Sequence, residues 1–375
     1  MKKIALIGST GSIGKQTLNI VRRHPNQFQI VSLAGGENSE LLCQQVKEFN
    51  PLVATAVHSF NTANKNTSWF FGENAFTNAI IDQADIVVIA LVGFKGILAV
   101  LESIKKGKTI ALANKESLVV GGQLVMESAK KAGVQILPID SEHSAIWQAL
   151  GLEITKPFNK IILTASGGAF RDLDIASLNQ VTAKDALKHP NWNMGNKITI
   201  DCATMVNKAF EVIEAKWLFN TTFDNIDVII HRESIIHSMV EYIDGSVLAQ
   251  MSYPNMELPI SLALSYPNRI VNDIQSLNFA KLKNLSFSEV DKQKYPCLDL
   301  VISAGRKGGV LPAVVNGANE MAVQLFLQNK IKFNDIYKAL AYSLDCFKGE
   351  SGSTFDELCQ ADLFGRQAVA KLFGE

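Results

Sequence analysis

The first fourteen residues constrain this chain more than any other stretch. Ile4-Ala5-Leu6-Ile7 is a short apolar run without polar alternation, as a strand buried on both faces should be. It runs directly into Gly8-Ser9-Thr10-Gly11-Ser12-Ile13-Gly14, and then into Thr17, Leu18, Ile20 and Val21 at helical spacing. Strand, glycine turn and helix in that order is the setting in which a dinucleotide fingerprint has physical meaning. Glycines let the backbone approach a pyrophosphate, and the helix N-terminus supplies partial positive charge. The spacing Gly-x-x-Gly-x-x-Gly is a variant of the usual one, and a glycine-rich hairpin is the plainer alternative.

The pattern continues in kind. Phe28 to Ala34, Leu52 to Val57, Asp85 to Leu91 and Lys108 to Ala113 are further buried-strand candidates, separated by helical stretches such as Ile97 to Lys106. Lys65 to Ser68 reads as an irregular excursion. Such alternation predicts an α/β chain with an N-terminal Rossmann-like doubly wound parallel sheet over residues 1–140. Residues 141–266 read as an α+β domain. There Lys160 to Ala165, Asp227 to Ile230, Ser238 to Ile243 and Ser246 to Met251 form strands, the last two joined as a hairpin at Asp244-Gly245. A helix opens near Asp201 and continues to Leu218, and His231 and His237 are taken as structural. A polar connection over 267–296 leads to a helical bundle over 297–375, where Ala318, Met321, Ala322, Leu325 and Phe326 recur at helix spacing.

Composition removes several function classes. With 47% hydrophobic residues the chain is not disordered, and 36 basic against 36 acidic residues give no electrostatic case for nucleic acid. No apolar run is long enough to cross a membrane. Five scattered cysteines without Cys-x-x-Cys spacing suggest neither disulfides nor zinc and fit a reducing, cytoplasmic setting.

Several polar clusters punctuate the strand ends. In Pro138-Ile139-Asp140-Ser141-Glu142-His143, two carboxylates two positions apart would share a face of an extended segment and favour a hard divalent cation. Asp140 or Ser141 capping a helix is the plainer alternative. Asn114-Lys115-Glu116-Ser117 closes the preceding strand, where Lys115 is either a surface charge or a donor to a carbonyl or alkoxide. Ser166-Gly167-Gly168 is a plain tight turn or an anion cradle. His189-Pro190-Asn191-Trp192-Asn193-Met194-Gly195 is a packed loop or a mobile lid near 186–195. Asn207 and Glu211 stand one turn apart with Lys208 alongside, serving phosphate and metal or forming a solvated face with a Lys208–Glu211 pair. The second strand ends at Gly35-Gly36-Glu37-Asn38, where a ribose is read; an acid there favours NAD by the generic rule, while Asn38 tolerates either nucleotide.

These motifs in this order, together with Val315-Asn316-Gly317-Ala318-Asn319-Glu320, resemble the 1-deoxy-D-xylulose 5-phosphate reductoisomerase family over nearly the whole length. The resemblance implies a homodimeric enzyme of non-mevalonate isoprenoid biosynthesis, dependent on NADPH and on magnesium or manganese, that acts on a sugar phosphate. It implies that Asp140, Glu142 and Glu211 hold the metal and that Lys115 and Ser141 meet the reacting part of the substrate. Ser166, His189, Asn207 and Lys208 would bind or enclose its phosphate end, with Trp192 on the closing loop. Thr10, Gly11, Ser12, Ile13, Gly36, Glu37, Asn38, Asn114, Glu116 and Gly195 would border the nucleotide. Two positions depart from the family's pattern: Cys202 stands where a phosphate-contacting serine is usual, and Glu37 where a basic residue is common.

Overall fold

In a computed structural model of the chain, residues 1–62, 66–192, 194–349, 352 and 354–374 are described. They form two compact units.

The first unit comprises Met1–Ser117, Val125–Ser144 and Asn255–Ile274. Its sheet holds seven strands: β1 (Lys2–Ile7), β2 (Phe28–Ala34), β3 (Val53–Ala56), β4 (Ser68–Phe71), β5 (Ile86–Ile89), β6 (Thr109–Leu112) and β7 (Ile136–Pro138). They lie in the order β4-β3-β2-β1-β5-β6-β7, and every pairing is parallel. Ile4, Ala5, Leu6 and Ile7 are buried completely because helices cover both faces, which is why the run shows no alternation. The order reverses between β1 and β5, and the crevice beyond the strand ends at such a switch point is where open α/β sheets bind ligands.

Two expectations need correction here. Ser68 does not belong to an irregular excursion: it opens the edge strand β4, whose Trp69 and Phe71 rings pack against Phe60 at 5.3 and 5.5 Å. Lys65 lies outside the described residues. Asn255–Ile274, assigned from sequence partly to the middle domain and partly to the connection, belongs with the first unit. Long-range polar contacts tie it there. Arg23 pairs with Glu257, and Lys2 Nζ donates to the carbonyls of Leu264 at 2.7 Å and Tyr266 at 3.1 Å.

The second unit comprises Leu118–Leu124, Ala145–Pro254 and Gln275–Glu375. Its strands β8 (Lys160–Ala165), β9 (Ile226–Ile230), β10 (Ile236–Glu241) and β11 (Val247–Met251) form a mixed sheet in the order β11-β10-β8-β9. The β10–β11 pair is the expected hairpin, with Gly245 at φ +82° in the turn. Helices Pro296–Lys307, Leu311–Leu327, Phe333–Cys346 and Phe355–Phe373 make the C-terminal bundle. Phe210, Ile213, Val301, Val315, Phe326 and Leu340 share its core. The 267–296 connection is not featureless, because Ser288 bridges β9 through paired backbone bonds with Ile230 at 2.9 and 3.1 Å. The single helix expected from Asp201 to Leu218 is two, Asn196–Thr204 and Val206–Leu218, broken at Met205 with φ 63°. Among the described residues no helix is long and apolar enough to cross a membrane.

Candidate active site

In the first unit the glycine turn has the shape its spacing predicts. The helix Ser12–Arg23 starts at Gly11 without a side-chain cap, so its first-turn N–H groups face outward from β1 as an anion site. A Cβ on Gly14 would sit 2.2 Å from the Gly8 carbonyl oxygen, whereas one on Gly11 would meet that oxygen at 3.4 Å. Gly14 therefore serves the seating of the helix on the turn, and Gly11 leaves its outer face open to a ligand. The Gly36 N–H donates to Thr10 Oγ1 at 3.4 Å, joining this turn to the end of β2, and Asn38 Oδ1 caps the helix Ser39–Phe49 by accepting from the Leu41 N–H at 2.9 Å. Glu37 is exposed and lies 3.0 Å from His58. These features fit a dinucleotide.

Beyond β6, Asn114 donates to the carbonyls of Leu91 at 3.1 Å and Gly93 at 3.0 Å and to the Glu116 carboxylate at 3.0 Å. One side chain thus fixes the loop after β5 against the start of the Glu116–Ala132 helix. Lys115 is not a surface charge. Its Nζ lies 2.8 Å from Asp140 Oδ2, with both side chains close to 10% exposed. His143, fully buried one helical turn on, brings Nδ1 within 3.6 Å of the same oxygen. Burial alone would raise the Asp140 pKa, but the Lys115 ammonium and His143 outweigh it and hold the carboxyl well below the usual carboxylate range. Asp140 is accordingly anionic throughout the physiological range.

The helix-start reading of this turn is realised as well, since Ser141–Ala149 is helical with Glu142 in its first turn. Asp140 and Glu142 therefore do not lie along one extended segment, and strand alternation does not set their directions. The Ser141 hydroxyl donates to the Glu142 carboxylate.

In the second unit, β8 delivers Ser166 to a turn in which Gly167 and Gly168 take φ +81° and +69°. A Cβ on Gly168 would lie 2.6 Å from the Cys202 carbonyl oxygen, so only glycine lets the turn approach the Asn196–Thr204 helix this closely. His189 Nε2 is 3.0 Å from Ser166 Oγ, while its Nδ1 accepts from the N–H groups of Asn191 at 3.2 Å and Trp192 at 2.9 Å. An Nδ1 that accepts leaves the proton on Nε2, which donates to Ser166 and frees the serine hydroxyl hydrogen for another acceptor. Arg171 ties the two segments together by donating to Ser166 O at 3.2 Å and Asn191 Oδ1 at 3.2 Å. Trp192 packs edge-on to His237 at 6.0 Å, and Gly195 precedes the first turn of the Asn196–Thr204 helix. Position 193 lies outside the described residues.

Asn207 donates to Glu211, and Lys208 pairs with Glu211 within the Val206–Leu218 helix. The pair exists, but the solvated face does not: Lys208 and Glu211 are 4% and 1% exposed. A buried ammonium with an amide beside it is suited to an anionic ligand, and a buried carboxylate to a hard cation. Cys202 sits on the preceding helix, across the Met205 break.

The sequence did not single out three supporting side chains. His143 could have been found from its position three residues after Asp140 on a helix start, whereas no local signal marks Arg171 or His58.

Comparison with known proteins finds matches over nearly the whole chain. Residues 4–122 match the family model described as 1-deoxy-D-xylulose 5-phosphate reductoisomerase, and residues 136–219 and 251–368 match two models of the C-terminal domains of the same enzyme. A 1-deoxy-D-xylulose 5-phosphate reductoisomerase of Microcystis aeruginosa is 48% identical, with 99% of this chain and 98% of the relative covered. One of Bacillus thuringiensis is 44% identical over 99% and 98%. Among solved structures, the reductoisomerase of Zymomonas mobilis in complex with NADPH superposes with a TM-score of 0.93 at 37% identity over 99% of both chains. A DOX-P reductoisomerase in complex with NADPH, fosmidomycin and magnesium gives 0.94 at 37% identity over 100% of this chain and 98% of that one. Three models of one family in succession along the chain, with relatives well above 30% identity over 99% of it, leave one conclusion: the chain belongs to the 1-deoxy-D-xylulose 5-phosphate reductoisomerase family.

Proposed function

We propose that this chain converts 1-deoxy-D-xylulose 5-phosphate to 2-C-methyl-D-erythritol 4-phosphate by an intramolecular rearrangement followed by reduction, as a step of non-mevalonate isoprenoid precursor synthesis. The observation that carries the reading is the buried Lys115–Asp140 pair, with Glu142 in the next helical turn, at the carboxyl end of a sheet that also bears the nucleotide turn.

Asp140, Glu142 and Glu211 would hold magnesium or manganese, and a set of carboxylate oxygens is the donor chemistry such hard ions take. When bound, the cation supplies Lewis acidity toward the ketose oxygens and NADPH supplies the hydride. The chain's own residues do the rest. Lys115 donates to the oxygen on which charge develops as the carbon skeleton shifts, and its pairing with Asp140 keeps the side chain aimed. Ser141 contacts the same end of the substrate. Lys208 and Asn207 bind the phosphate, joined by the Ser166 hydroxyl that His189 orients, while Cys202 offers only a weak donor there. Anchoring the phosphate holds the fragments in place between bond cleavage and re-formation. Residues 186–195, with Trp192, close over the site and exclude water. Thr10, Gly11, Ser12, Ile13, Gly36, Glu37, Asn38, Asn114, Glu116 and Gly195 line the nucleotide.

The active form is a homodimer. Edge strand β11 supports this, because Val247 and Leu248 are about half exposed on a strand with an open side. Five free cysteines suit a reducing cytoplasm. The test follows NADPH absorbance with the ketose phosphate, with and without added magnesium or manganese. Turnover stops on chelation; a plain dehydrogenase would continue. Glu211→Gln abolishes metal-dependent turnover and leaves NADPH affinity within about twofold, since a neutral amide is a poor ligand for a hard cation. Unchanged turnover would refute the ligand set.

A further inference from the structure

The end of β2 carries an acid where a nucleotide's ribose is read. Glu37 follows Gly36 in the turn before the Ser39–Phe49 helix, and Asn38 caps that helix. A carboxylate in this turn accepts from a free 2′-hydroxyl and repels a 2′-phosphate, so by itself Glu37 argues against a phosphorylated ribose. Glu37 does not stand by itself, however. Its Oε2 lies 3.0 Å from His58 Nε2, two residues beyond the end of β3, the strand hydrogen-bonded to β2. Both side chains are three-quarters exposed, so the contact does little for stability. Its consequence lies in what the turn presents to a ligand. A carboxylate already engaged by an imidazole N–H is a poorer acceptor for a ribose hydroxyl. With that contact in place the acid is engaged by His58 and its selection for a free ribose hydroxyl is weakened.

We infer that His58 is a specificity-determining residue for the nucleotide. By engaging Glu37 it occupies the acid that would otherwise select a free 2′-hydroxyl, and it lets this chain accept NADPH although its ribose turn is acidic. This rests on the reading that the chain uses NADPH.

The test measures dissociation constants of NADPH and NADH by nicotinamide fluorescence on the substrate-free protein, with adenosine 2′,5′-bisphosphate and 5′-AMP as competitors that lack the nicotinamide. His58→Ala weakens NADPH and the bisphosphate by about three- to tenfold, the worth of one exposed charge-assisted contact. NADH and 5′-AMP change by less than about twofold, or tighten, as Glu37 is released. Adding Glu37→Ala to His58→Ala recovers most of the NADPH affinity, because the repelling charge leaves with its partner. Both positions are exposed, so thermal melts of the variants match the parent. If the parent binds NADPH and His58→Ala leaves the NADPH to NADH ratio unchanged, the inference falls while the enzymatic reading stands. If the parent binds neither dinucleotide, both fall.

Discussion

Gly14→Ala and Gly11→Ala separate two jobs within one glycine turn. At Gly14 the added Cβ meets backbone only, lying 2.2 Å from Gly8 O, 2.6 Å from Ser9 Cα and 2.7 Å from Ser9 C, so no rotamer change relieves it. The Ser12–Arg23 helix must back away by about 1 Å to restore van der Waals contact in a close-packed interior. Overpacking of this kind costs about 1–3 kcal/mol, and for a unit of this size that lowers Tm by about 3–10 °C. Withdrawing the helix N-terminus also loosens at least one charge-assisted bond to the pyrophosphate, weakening NADPH by about tenfold or more. At Gly11 the new Cβ has only an ordinary contact at 3.4 Å from Gly8 O, so the free protein melts as the parent does. The methyl then obstructs the approach of the pyrophosphate, and NADPH affinity alone falls. Differential scanning fluorimetry without nucleotide and fluorescence titration with NADPH read the two effects independently. A Gly14→Ala protein with unchanged Tm and affinity, or a Gly11→Ala protein that melts early, would refute the assignment of packing to one glycine and ligand approach to the other.

Cys202→Ser replaces a thiol with a stronger donor, and KM for the sugar phosphate stays equal or falls by up to about tenfold in steady-state assays; a rise would show that the thiol has a role of its own. Arg171→Ala removes the cross-link between Ser166 and Asn191. KM for the substrate rises by about tenfold while NADPH affinity holds, as expected for the loss of charged hydrogen bonds that are partly solvated. Burial, with the Asp201 charge adding to it, pushes the Cys297 thiol up to about 12, so it holds almost no thiolate at pH 8. Iodoacetamide followed by mass spectrometry should label exposed Cys346 first and Cys297 only after unfolding.

The acidic turn at Asp140 and the glycine turn after β1 stand out in the sequence because each is announced by chemistry at a strand end. Ile4 to Ile7 needs no neighbour to read as a two-sided strand, and Asp140 and Glu142 interrupt an apolar run abruptly. Edge strand β4 was missed because its side chains are largely exposed and leave no burial pattern. The break at Met205 was missed because a methionine with φ 63° is locally unfavourable and persists only where packing enforces it. The spacing of Lys208 and Glu211 gave the ion pair but not its burial, which spacing along one helix does not determine. Likewise Glu37 looks like a simple NAD marker until His58, 21 positions along, is brought beside it by the pairing of β2 with β3.

The division follows from range. Apolar period, glycine spacing and helix starts act within a few residues, so the chain alone settled the α/β class, the parallel sheet and which charged groups stand at strand ends. Whether a charge is solvated or buried, and what stands opposite it, is set by groups distant in the chain. Only the tertiary structure therefore decided that Lys115 and Asp140 are a buried pair, that His189 orients Ser166, and that the acid at the ribose turn has a partner.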